Sequence, residues 1–160
     1  MKFRPMADLL APALAQGYAV PGFCTWNAET VRIILRTAAD LSAPVVIMSG
    51  PGEFPLLPPA AMAAAATAAA REFDVPAALH LDHGESLEQV RECLEAGYTS
   101  VMLDYSTRPF EENAAALRQA VDMARPLGAS VEGEVGAVGR VDDAAVEGSR
   151  GSTLTEPGDA

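Results

Sequence analysis

The stretch PAALHLDHGESLEQVRECLEAG, residues 76–97, holds one complete strand-and-helix unit, and its reading decides the fold. Pro76 to Leu81 is a short apolar run that predicts a strand. Leu87 to Ala96 predicts a helix closed by Gly97, a residue suited to the left-handed turn after a helix. Between them stands His80-Leu81-Asp82-His83-Gly84, so polar side chains gather where the strand ends.

The same alternation extends in both directions. Upstream, Met6, Leu9, Leu10 and Leu14 lie at helical spacing before Gly17, and Ala19 to Phe23 reads as a strand. Asn27 is suited to cap a helix over Ala28 to Leu41, with Val31, Ile34, Leu35 and Ala38 on one face. Val45 to Met48 predicts a strand before the loop Ser49-Gly50-Pro51-Gly52, and an Ala-rich helix follows from Pro59 to about Phe73. Downstream come a strand over Ser100 to Leu103, a helix over Glu111 to Leu127 and a strand over Ser130 to Val135. Continuous apolar strands are expected where a sheet is covered on both faces, and successive βα units predict a parallel sheet with right-handed crossovers. The repeat is about 27 residues, so eight units would need roughly 240, close to the ~250 of a (β/α)₈ barrel. The expected fold is therefore α/β, of the (β/α)₈ TIM-barrel family, with about five of the eight strands in this chain. Residues 1–160 would form one incomplete barrel domain. From Ala137 onward no apolar period remains, and 137–160 reads as a mobile loop or disordered tail.

Composition narrows the function classes. Eleven Lys and Arg against 22 Asp and Glu give a formal net charge of −11, which opposes binding to a nucleic-acid backbone. The longest small-apolar tract, Ala60 to Ala70, is broken by Thr67 and falls short of the about 20 residues a membrane span needs. Met1 to Pro5 lacks the apolar core of a secretory signal, so the expected location is the cytoplasm. Cys24 and Cys93 fit neither a disulfide framework nor a CxxC metal site and read as reduced thiols.

In βα folds chemistry collects at the C-terminal ends of strands. His83, at the turn after the third strand, is apt as a metal ligand, with Asp82 beside it as acid/base or as a group that supports the ligand; a capping Asp and a surface His are the plain alternative. Asp104, after the fourth strand, either serves a site or satisfies loop amides. Glu132 and Glu134 share one face of the fifth strand, a costly pairing unless a partner or metal balances it or the strand is an exposed edge. Ser49-Gly50-Pro51-Gly52 either offers amides to an anion or is an ordinary turn. Trp26, Phe54 and Tyr105 line strand-end loops, as pocket walls or as packing.

Together these segments resemble the class II, metal-dependent ketose-bisphosphate aldolases, the fructose- and tagatose-bisphosphate aldolase family. The resemblance is carried by 18–23, 27–30, 43–46, His80 to Ser86, Ser100 to Asp104, Glu112-Asn113, Val131 to Gly136 and Thr155-Glu156-Pro157. It implies cleavage of a phosphorylated ketose to dihydroxyacetone phosphate and an aldehyde by the complete barrel. It also implies a zinc ion that stabilises the charge left beside the ketone. His83 matches a zinc ligand, and Asp82 the acid/base for the substrate hydroxyl. Glu134 matches a glutamate able to contact the metal. His80, Asp104 and Glu132 match the positions around the metal site, and Asp142 a loop carboxylate that moves the second proton. Ser49 falls in a loop that helps hold a phosphate. The family also suggests a homo-oligomer and leaves room for a further monovalent cation. The resemblance has three departures: Cys24 stands where the family usually has Asn, Gly139-Arg140 replaces paired glycines, and His80 and His83 are the only histidines. The alternative is a non-catalytic truncated remnant or subunit that needs a partner chain.

Overall fold

The computed structural model describes residues 3–136, 155, 157 and 158. Five parallel strands lie in sequence order: β1 (Gly22–Cys24), β2 (Val45–Ser49), β3 (Ala77–Gly84), β4 (Ser100–Leu103) and β5 (Ser130–Gly133). Five helices, α1 (Met6–Gln16), α2 (Ala28–Asp40), α3 (Pro59–Ala70), α4 (Leu87–Ala96) and α5 (Phe110–Ala124), precede or connect them. A parallel sheet whose order follows the chain is the pattern expected of a segment of a (β/α)₈ barrel.

The two faces of the sheet differ. Val45, Ile47, Ala77, Leu79, Leu81, Val101 and Leu103 point into the main core, against Val31 and Leu35 of α2, Met62 and Ala66 of α3, Val90 of α4 and Ala120 of α5. The alanines of α3 allow a close approach, and Ala66 is fully buried. On the opposite, inner face, Val46 and Ala78 pack on Leu9 of α1. The Arg4 amide donates to the Ala77 carbonyl at 2.8 Å and the Ala7 amide to Ser130 Oγ at 3.0 Å. Helix α1 thus closes the N-terminal end of the inner face and leaves the strands' C-terminal ends for the polar residues.

Local chemistry explains the element ends. Asn27 caps α2 by accepting from the Thr30 amide at 2.8 Å, and Gly17 and Gly97 close α1 and α4 in the left-handed conformation. Ser86, not Asp82, caps α4. Strand β1 begins at Gly22 rather than Ala19, since Pro21 lacks an amide for the ladder and contributes only its carbonyl, to Val46. Helix α5 stops at Ala124, and Arg125–Leu127 form a 3₁₀ turn, because Pro126 cannot donate to an α-helical carbonyl. Strand β5 ends at Gly133, two residues before the expected end. Helix α3 also ends early, at Ala70.

The main departure from a regular ladder is in β3. Leu81 pairs with Val101 and Gly84 with Leu103, so three steps of β3 oppose two of β4. The extra residue makes a bulge. His83 within it has a φ of 46°, in the left-handed region. Gly84 ends the bulge where a Cβ would lie 2.6 Å from the Met102 carbonyl oxygen, a space only glycine fits.

Candidate metal and proton-transfer site

The site lies at the ends of β3, β4 and β5. His83 Nδ1 is 2.9 Å from Asp104 Oδ2 and 3.9 Å from Glu134 Oε2. A ligand atom from each of these three residues lies within 4.8 Å of the others. Asp104 is itself held: Oδ1 accepts from the Ser106 hydroxyl at 2.6 Å and the Ser106 amide at 3.1 Å. It therefore satisfies a loop amide and faces the histidine at once. Glu134 is placed through its backbone, because the buried Asn113 of α5 donates Nδ2–H to its carbonyl at 2.8 Å.

Partial burial disfavours a charge on His83. The hydrogen bond to Asp104 and the charges of Asp82, Asp104 and Glu134 outweigh it, so the imidazole pKa lies above its ordinary value. Burial likewise raises Asp104, but its bonds to Ser106 and His83 carry it below the usual carboxylate range. Glu132 is raised, first by burial and then by the charge of Asp82, with Glu134 adding to it. A carboxylate-rich pocket opposed by one imidazole is chemically suited to a cation. His with carboxylates is a donor set zinc accepts.

His80 and Glu132 form a separate pair beside this cluster. His80 is 2% exposed, its Nδ1 lies 2.8 Å from Ser100 Oγ, and its Nε2 lies 3.5 Å from Glu132 Oε2. Burial pushes the His80 pKa down to about 4. The ring is thus neutral near pH 7, and the contact with Glu132 is a polar one rather than an ion pair.

Asp82 faces Cys24 of β1, whose thiol donates to Oδ2 across 3.3 Å. Asp82 and His83 adjoin in sequence and both serve the strand end because of the bulge. Ser49 is placed differently. It lies on the helix-covered face opposite Leu81, fully buried, with Oγ 2.7 Å from the Tyr98 hydroxyl. The loop it begins closes on itself: the Gly50 amide donates to Glu53 Oε2 at 2.7 Å. Trp26 is exposed, whereas Phe54 and Tyr105 pack against the main core. Asp142 and Arg140 lie outside the described residues.

The fold agrees with the comparisons. The family model of the class II fructose-bisphosphate aldolases matches residues 4–160. The chain belongs to that family. Solved structures similar to this family member include the YdjI aldolase of Escherichia coli K12, at 30% identity and a TM-score of 0.83 over 98% of this chain. The fructose-bisphosphate aldolase of Campylobacter jejuni superposes with a TM-score of 0.76 over 84% of it; at 23% identity that likeness concerns the fold alone. This aldolase-family chain spans 58% and 45% of the lengths of those two proteins. No helix among its described residues is long and apolar enough to cross a membrane.

Three contacts escape the sequence reading: Cys24 to Asp82, Tyr98 to Ser49, and Asn113 to the Glu134 carbonyl. The register signals the first, since Cys24 and His80 both pair with Met48, one strand either side of it. No comparable signal marks the others, which join a strand to the turn after a helix or to a helix interior.

Proposed function

We propose that this chain carries the metal- and proton-handling strand ends of a zinc-dependent aldolase acting on a phosphorylated ketose. The products would be dihydroxyacetone phosphate and an aldehyde. The observation that supports this most is the convergence of His83, Asp104 and Glu134 to within 4.8 Å beside Asp82. In this reading His83 and Glu134 hold the metal, and Asp104 orients His83 through the 2.9 Å contact. Zinc, when bound, supplies a Lewis acid for the carbonyl beside the bond that breaks.

Asp82 takes the proton of the substrate hydroxyl. As it does so, the carbon–carbon bond breaks, its electron pair passes to the ketone-bearing fragment, and the hydroxyl carbon becomes the aldehyde carbonyl. In condensation Asp82 returns the same proton. Asp142 is assigned the proton exchanged at the carbon of the other fragment. Glu132 and neutral His80 form a polar pair within electrostatic reach of Asp82. Ser49 serves the phosphate indirectly, by anchoring on Tyr98 the loop whose Gly50 amide donates to Glu53 Oε2. We assign the complete protein to the cytoplasm as a homo-oligomer, in keeping with its two free cysteines.

Zinc content and retro-aldol turnover of a ketose bisphosphate test the reading together. His83→Ala should lose tight zinc binding. Asp82→Ala should keep zinc and lose about 10²–10⁴ in turnover. Full zinc in the first variant or normal turnover in the second would remove the residue from its role.

A second reading, a non-catalytic subunit that needs a partner chain, is favoured by the sheet order, which among the described residues leaves β1 and β5 as edges. Stable heteromeric association without zinc binding or turnover would select it.

A further inference from the structure

Asp82 is held from two sides. Its backbone carbonyl lies so close to the loop after β2 that a Cβ on Gly50 would sit 2.4 Å from the oxygen. Its side chain is held by Cys24, whose thiol reaches over β2 from β1 to Oδ2. Among the described residues Oδ1 has no hydrogen bond. One oxygen is thus tied and the other left open, on a backbone packed closely against the neighbouring loop.

We infer that Cys24 is a positioning residue for proton transfer, holding Asp82 through Oδ2 so that Oδ1 is the oxygen that exchanges the substrate hydroxyl proton. The inference rests on the reading of Asp82 given above.

The chemistry of the donor favours this role. Asp82 stands among acidic groups, with Glu132 near it and Glu53 near Cys24. A neutral donor steadies the carboxylate without adding charge. Burial, the hydrogen bond to Asp82 and the charges of Asp82 and Glu53 push the Cys24 thiol up to about 12. It therefore stays protonated near neutral pH and does not compete for the substrate proton. A thiol held in this form is also a poor nucleophile and a poor metal ligand, so it leaves the cation to the histidine and carboxylates.

The test uses the complete protein with zinc supplied, comparing wild type, Cys24→Ala and Cys24→Ser. Loss of one positioning hydrogen bond should lower kcat by about tenfold in Cys24→Ala, with KM within about twofold. The serine hydroxyl should restore kcat to within about threefold of wild type, on the same scale. An unchanged kcat in Cys24→Ala, a change confined to KM, or no rescue by serine would overturn the inference while leaving the aldolase reading standing. Absence of turnover in zinc-loaded wild type would remove the aldolase reading and this role with it.

A readout independent of turnover examines the contact itself. The rate of Cys24 alkylation by iodoacetamide, read by mass spectrometry near pH 8, should rise by about tenfold in Asp82→Asn. Buried Cys93 serves as the internal reference. An unchanged rate would show that thiol and carboxylate are not coupled and would equally overturn the inference.

Discussion

Acidification should expose the cost of burying His80 as a neutral ring. His80 is 2% exposed and its pKa is pushed down to about 4, against an ordinary value of 6.5. The folded value lies below the unfolded one, so between them the unfolded chain binds more protons and stability falls as pH falls. From pH 7 to about 4.5 the linkage amounts to about 2.5 kcal/mol. Glu132, 3.5 Å away, offers little relief, because its own raised pKa makes it give up its charge early in the same descent. The perturbation is His80→Gln, which keeps a polar group near Ser100 without a proton to gain. Urea unfolding at several pH values measures the difference. Wild type should lose about 2.5 kcal/mol more than the variant between those limits, a shift of about 1 M in midpoint for a slope of about 2 kcal/mol per M. Parallel pH profiles would refute the reasoning and show that Glu132 compensates a protonated His80.

Further outcomes follow from the same geometry. Zinc affinity should fall as pH drops below the raised pKa of His83, by about tenfold per unit, since a protonated imidazole is no ligand; competition with a fluorescent chelator measures it, and His83→Ala should flatten the profile. Without metal the sign for stability is the reverse of that for His80, because a raised pKa favours the fold at low pH and the contribution is lost as pH rises through it. Ser49→Ala leaves the buried Tyr98 hydroxyl unpaired and should cost about 1–3 kcal/mol in urea unfolding. Gly50→Ala must shift either its loop or the Asp82 carbonyl, and should lower kcat while zinc content stays at the wild-type level.

Much of the architecture was legible because the central strands begin as short apolar runs, with β2 and β4 almost wholly buried. Ser100–Leu103 and Leu87–Ala96 form at the bounds their sequences suggest. Element ends were less legible where proline intervenes: Pro21 delays β1 and Pro126 tightens the end of α5, each through a missing amide. Among the site residues, His83, Asp104 and Glu134 were legible because polar groups at successive strand ends must converge in a parallel sheet. The positions of Ser49 and Cys24 were not. Strand parity directs Ser49 toward the helices, and a register two strands wide brings Cys24 to Asp82; both depend on strand bounds that local composition leaves uncertain by a residue. Asp142 falls outside the described residues.

The bulge in β3 has a consequence for how this strand tolerates change. In a regular strand, neighbouring residues serve opposite faces, so a proton carrier and a ligand at adjacent positions would be separated by the thickness of the sheet. One surplus residue between Leu81 and Gly84 cancels that alternation and lets a single dipeptide supply both. Removing one residue there would preserve almost every contact of the core. Yet it would restore the odd–even rule and send one of the two chemistries to the wrong side. The strand end is thus as intolerant of a change in count as of a change in kind, so its length carries as much information as its composition.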